Sequence, residues 1–112
     1  PRITTGFSVG DRLAFACLYK STGYEANVNQ DANISINFLN SSLSTISSMQ
    51  PIQALASDCS VNAVAYDEAV VPAGCTTIDV TFLAGGTATT TNGADFQVAE
   101  PALYNLTALG IA

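Results

Sequence analysis

The chain has no histidine and no tryptophan, and its only basic residues, Arg2, Arg12 and Lys20, all lie within the first twenty positions. Each scarcity removes a class of function. Without histidine, and with Lys20 as the sole lysine, no base stands ready to activate a Ser, Thr or Cys nucleophile, which argues against a hydrolytic triad and against enzyme activity in general. Three bases cannot form the stripe that displaces counterions from a nucleic acid. No apolar run approaches the roughly 18 residues that cross a bilayer as a helix, so no membrane span is expected. Gly85-Gly86 sits between two strand patterns and does not open a helix, so it makes no phosphate cradle. Three cysteines with no CxxC spacing and no histidine argue against zinc, and no metal or cofactor is expected.

Charge is scarce altogether. Charged residues make up 11% of the 112, against about 25% in an average globular domain. Their place is taken by 17 Ala, 12 Thr, 10 Ser and 8 Asn, so the surface must be largely small and neutral. The length fits a single domain, 1–112, able to bury about two-thirds of its unfolded surface. What charge there is divides unevenly: residues 1–20 hold three bases and one acid, Asp11, and residues 21–112 hold eight acids and no base. Residues 1–10 therefore read as a candidate extended arm that lays its charge on the acidic body of a neighbouring copy.

Period-two alternation dominates the rest. Ile78, Val80 and Phe82 alternate with Thr77, Asp79 and Thr81, the pattern of a half-buried strand. Pro72-Ala73-Gly74 before it, Gly85-Gly86 after it and Asn92-Gly93 beyond have turn chemistry, and Phe96 and Val98 resume the alternation. Residues 61–99 thus read as an antiparallel meander, closed by Glu100-Pro101, with Leu103 to Ile111 as a last strand. Leu13, Phe15, Cys17 and Tyr19 form one face of a strand whose other face, Ala14, Ala16 and Leu18, is also apolar. Such a strand is either central in a sandwich or covered by another subunit. Ile34, Ile36 and Phe38 mark a further strand. Leu39, Leu43, Ile46 and Met49 have helical spacing up to Pro51, consistent with at most one short helix near 40–50, or an irregular loop. The expected fold is mainly β, an antiparallel sandwich or small barrel.

Cysteine leaves one choice open. Cys17 reads as core filler, whereas Cys59 and Cys75 could close a loop of roughly 15 residues, worth about 3 kcal/mol in an oxidising compartment. A Pro at residue 1 fits removal of an initiator Met better than cleavage of a leader, giving an expectation of cytoplasmic synthesis. Against this stand three N-glycosylation sequons, at Asn33, Asn40 and Asn105, which would be used only after export.

Other candidates for chemistry are thin. Asp58 with Asp67 or Glu68 could pair as two carboxylates, and Asn27, Asn29, Asp31 and Asn33 offer oxygen ligands at alternate positions without the closing Glu of a calcium loop. Solvated loop acids and a polar connection explain both. The segments Gly86-Thr87-Ala88-Thr89 and Gly93-Ala94-Asp95-Phe96 resemble the GTAT…G-x-D-[YF] hairpin of Calx-β domains, a β-sandwich family; the resemblance covers about 11 residues and brings no calcium site with it.

The composition therefore points to a non-enzymatic structural subunit that self-assembles, foremost a virion protein such as a coat, decoration or tail-tube protein. Its partners would be copies of itself, or a preformed shell of another protein. Small neutral side chains cost little to desolvate against a neighbour. Arg2, Arg12, Lys20, Asp79 and Asp95 are the candidate subunit contacts. The alternatives are an exported pilin or surface-filament subunit using N-terminal strand addition, and a monomeric β-sandwich binding or adhesion module at the cell surface.

Overall fold

Alternating side chains give a strand two unlike faces, and burying one face of each requires a second layer. The computed structural model, which describes residues 1–22, 30–55, 59–86 and 95–111, meets that requirement with two antiparallel sheets and no helix among those residues. Its strands are β1 (Arg2–Ile3), β2 (Arg12–Thr22), β3 (Gln30–Leu39), β4 (Thr45–Leu55), β5 (Cys59–Val70), β6 (Thr77–Gly86) and β7 (Asp95–Asn105). One sheet is four-stranded in the order β1-β6-β3-β4, and the other is three-stranded in the order β5-β2-β7. The mainly β, sandwich-type fold read from the alternation is the fold observed.

The core is the set of inward rows. Ile34, Ile36 and Phe38 of β3 and Ile78 and Val80 of β6 come from one sheet, with Met49 and Ile52 of β4 beside them. Leu13, Phe15 and Cys17 of β2 and Ala65 of β5 come from the other. The sheets close on each other along one side, where the Gln50 backbone N–H of β4 donates to Asp67 Oδ2 of β5 at 3.2 Å. Along the opposite side they stay apart. There a groove of about 170 Å³ opens between β6 and β7, lined by Phe15, Val80, Phe82, Pro101 and Leu103 among others.

Several expectations need correction. The strands of 61–99 exist, but they do not form a meander: β5 and β7 flank β2 in one sheet, while β6 lies in the other. The crossing has a local cause. Val71 is held by Gly10 and Asp11 through two backbone bonds, Pro72 has no N–H to continue a ladder, and Thr76 N–H then donates to Leu39 of the facing sheet. β6 ends at Gly86, and the Thr-rich run 87–91 and Asn92-Gly93, on which the expected turns fall, lie outside the described residues.

Residues 40–50 form no helix. Asn40 Oδ1 accepts the N–H groups of Ser42 and Ser44, which makes a tight turn, and β4 then returns beside β3. Glu100-Pro101 does not end a strand either. Those two residues bulge opposite Cys17 between the Ala16–Ala102 and Leu18–Ala99 pairs, with Glu100 at φ 54°, and β7 runs on to Asn105. Its edge position is what tolerates Pro101.

The Cys59–Cys75 bridge is not made, and Cys75 is a free, buried thiol. Extended β5 carries the chain about 36 Å from Cys59 to Val70 at about 3.3 Å per residue. The five residues to Cys75 retrace at most about 18 Å. A disulfide needs Cα atoms within about 7 Å.

Residues 1–10 lie against their own chain in this structure. β1 pairs with β6, Ile3 and Phe7 pack against the core, and the Gly6 carbonyl accepts a bond from Asn105 Nδ2.

Candidate interface on the three-stranded sheet

Strand register assigns every outward side chain to one of two surfaces, and the two differ in character. Over the four-stranded sheet the outward residues are Asn33, Ser35 and Asn37 of β3, Asp79 and Thr81 of β6, and Ser48 of β4. The side chains described there are polar apart from Leu39, which is buried opposite Thr77; that of Leu83, paired with Asn33, lies outside the described residues. Over the three-stranded sheet they are Val64, Tyr66, Glu68 and Val70 of β5, Arg12, Ala14, Ala16 and Leu18 of β2, and Ala102 and Tyr104 of β7. That face is largely apolar, with Val64 at 68%, Tyr66 at 54%, Val70 at 49% and Tyr104 at 48% exposure.

Its relief is equally specific. Tyr66 and Ala102 flank Ala16, and Glu68 and Tyr104 flank Ala14. The alanines form a low floor between rings on the two outer strands. A methyl group among larger neighbours is shaded by them, so Ala14 is only 2% exposed although it faces outward.

One polar cluster is set into this surface. Arg12 Nη1 donates to Glu68 Oε1 at 2.8 Å, and the Tyr66 hydroxyl donates to Glu68 Oε2 at 2.7 Å. Residues 66 and 68 share a face because they are two apart on one strand, and the pairing of Arg12 with Val70 brings the guanidinium alongside. The Tyr66 hydroxyl, and after it Arg12, holds the Glu68 carboxyl below its ordinary range. The same bond raises the Tyr66 phenol, since ionising it would set two anions together.

The residues singled out in the sequence are distributed as follows. Arg12 and Glu68 meet within one chain. Arg2 lies directly opposite Asp79 in the β1–β6 pair, and Lys20 lies opposite Gln97. Asp95 opens β7 opposite Thr22, and its side chain, like that of Cys59, lies outside the described residues. Asp67 and Glu68 point to opposite faces of β5, with Asp67 accepting from the β4 backbone; the pairing of either with Asp58 falls outside the described residues. Asp58, Asn27, Asn29 and most of the Calx-β-like hairpin fall outside the described residues, among which no cluster of metal-ligating side chains occurs. Of the sequon asparagines, Asn40 is spent on its turn, and Asn105 bonds Gly6, Asp11 and Ala108.

The apolar row of β5 was not anticipated. Its signal is the alternation of Val64, Tyr66 and Val70 with Ala63, Ala65 and Ala69. Hydrophobicity would turn the large residues inward, but Phe15 and Leu13 of β2 already fill that space, and from Ala63 to Ala69 the inward row of β5 holds only alanines and Asp67. Compared with family models, with curated proteins and with solved structures, the chain gives no match in any of the three.

Proposed function

We propose that the chain is a non-enzymatic structural subunit that assembles with copies of itself, foremost as a virion protein, and that the outer face of β5-β2-β7 is its contact surface. The observation that carries this reading is the contrast between the two sheets: the exposed side chains described at the centre of one outer face are polar, and the other face presents large apolar side chains to water. Leaving such a face bare costs free energy in proportion to its area, and covering it with a like face recovers that energy. Its relief suits a self-complementary contact, because a two-fold-related copy would seat its tyrosine rings on the alanine floor. Tyrosine also contributes much contact area for little conformational entropy. Low surface charge lowers the desolvation cost further.

Arg12 is engaged with Glu68 of its own chain, so long-range attraction between an arm and an acidic body no longer has to drive association. Light scattering coupled to negative-stain imaging, at low and high salt, tests the reading. Regular particles or tubes that persist in high salt are expected, because salt does not weaken apolar burial. A monomer at high concentration would contradict it.

A second reading has its own observation. The Arg12–Glu68–Tyr66 chain of bonds fixes one exposed ring with a charged edge beside it, as in a preorganised recognition surface. A monomeric β-sandwich binding module would use the same face, and the monomer outcome would favour it.

A further inference from the structure

We infer that residues 1–5 form an exchangeable strand, which in the assembled state pairs with β6 of a second copy of this chain instead of its own. This rests on the self-assembly reading and names a contact distinct from the apolar face.

Attachment of the segment is slight. β1 contributes only two residues, Arg2 opposite Asp79 and Ile3 opposite Ile78, with one further bond from Val80 N–H to the Pro1 carbonyl. Beyond Val80 the outer edge of β6 has no strand partner among the described residues. Beside the segment a half-open pocket of about 220 Å³ is lined by Ile3, Thr5, Phe7, Leu13, Ile78 and Leu103, among others, so the segment packs only partly against the core. Space left unfilled there forfeits contacts that would hold the segment in place.

The point of release is equally defined. Gly6 has φ 88° with nothing near its absent side chain, a conformation that glycine adopts without strain. Just after it the chain is anchored: Asn105 Nδ2 donates to the Gly6 carbonyl, Ser8 N–H donates to Asp11 Oδ2, and Gly10 N–H donates to Val71. Residues 1–5 can therefore rotate about residue 6 without disturbing the body.

Exchange preserves every contact. Arg2 would lie beside Asp79 and Ile3 beside Ile78 whether β6 belonged to the same chain or another, so concentration and the spacing of neighbours decide between the two. Arg2 and Asp79, opposite in charge and opposite in register, favour the same alignment in either case. Five extended residues reach about 17 Å, so the acceptor β6 must lie within that distance of the donor's residue 6.

A covalent trap distinguishes the two. The Pro1 carbonyl bonds Val80, which makes Arg2–Asp79 a non-hydrogen-bonded pair with Cα atoms about 4.5 Å apart, close enough for a disulfide. The double variant Arg2→Cys with Asp79→Cys, in a Cys59→Ser background, is oxidised as assembled particles and run on a denaturing, non-reducing gel. Exchange predicts covalent dimers and higher species that collapse to monomer on reduction. Only internally closed monomer from intact particles would overturn the exchange and leave the assembly reading standing, whereas monomer in both native sizing and gel would overturn both. A mixture of the two single-cysteine variants gives an independent readout. Covalent heterodimer is expected from exchange, and its absence counts against it.

Discussion

Leu43 is held at φ 63°, in the left-handed region that costs a residue with a side chain about 1–2 kcal/mol, and its side chain is 48% exposed. Little packing is lost by removing it. Leu43→Gly is therefore expected to stabilise the domain by up to about 1 kcal/mol, the relief of strain exceeding the added freedom of the unfolded chain. Chemical denaturation would show a higher midpoint at unchanged slope, and a lower midpoint would mean that the Leu43 side chain holds the turn. The Tyr66–Glu68 bond gives a second prediction at this scale. Glu68 has a folded pKa below its ordinary 4.5, so its small contribution is present above that value and lost as pH falls through the folded pKa. Tyr66 is the opposite case. Its pKa is raised above 10.0, so its share is intact below that value and lost as pH rises through the folded pKa. Tyr66→Phe should move the Glu68 midpoint upward in a carbon-detected NMR titration. An unmoved midpoint would leave Arg12 as the sole cause.

At the scale of elements, alternation was enough to locate β2, β3 and β6, because each pairs a large apolar row with a polar or small one. Pairing was not legible. A turn of good hairpin chemistry such as 72–74 states that the chain reverses, and only the bonds of Val71 to Gly10 and Asp11 show that it reverses into the other sheet. β4 was misread because Leu39, Leu43, Ile46 and Met49 fall at helical spacing by coincidence: Leu39 and Met49 are buried, whereas Leu43 and Ile46 are exposed. Of the proposed interface, the apolar second row of β2 was legible as a face needing cover. The tyrosines and valines of β5 were not, since their direction depends on what β2 places in the core. That core is tightly shared, with Ile36 fully buried between β4 and β6. Ile36→Ala should cost about 2–5 kcal/mol, read as a fall in the denaturation midpoint, and a loss under about 1 kcal/mol would show that the sheets are not packed there as described.

For the whole molecule, the sandwich is asymmetric in every respect that bears on association. It is bonded along the β4–β5 side and open along the β6–β7 side, it is polar over one sheet and apolar over the other, and its first strand is barely attached. Among the described residues no helix is long and apolar enough to cross a membrane. A second copy is the cover proposed here for the apolar face. The most direct test is native mass by light scattering for two double variants at equal concentration: Val64→Lys with Tyr104→Lys on the apolar face, and Ser35→Lys with Thr81→Lys on the polar one. Both pairs lie on exposed or half-exposed strand faces and add the same charge. The apolar-face variant is expected to remain monomeric while the polar-face variant assembles as the parent does; assembly of the apolar-face variant at the parental size would contradict the interface.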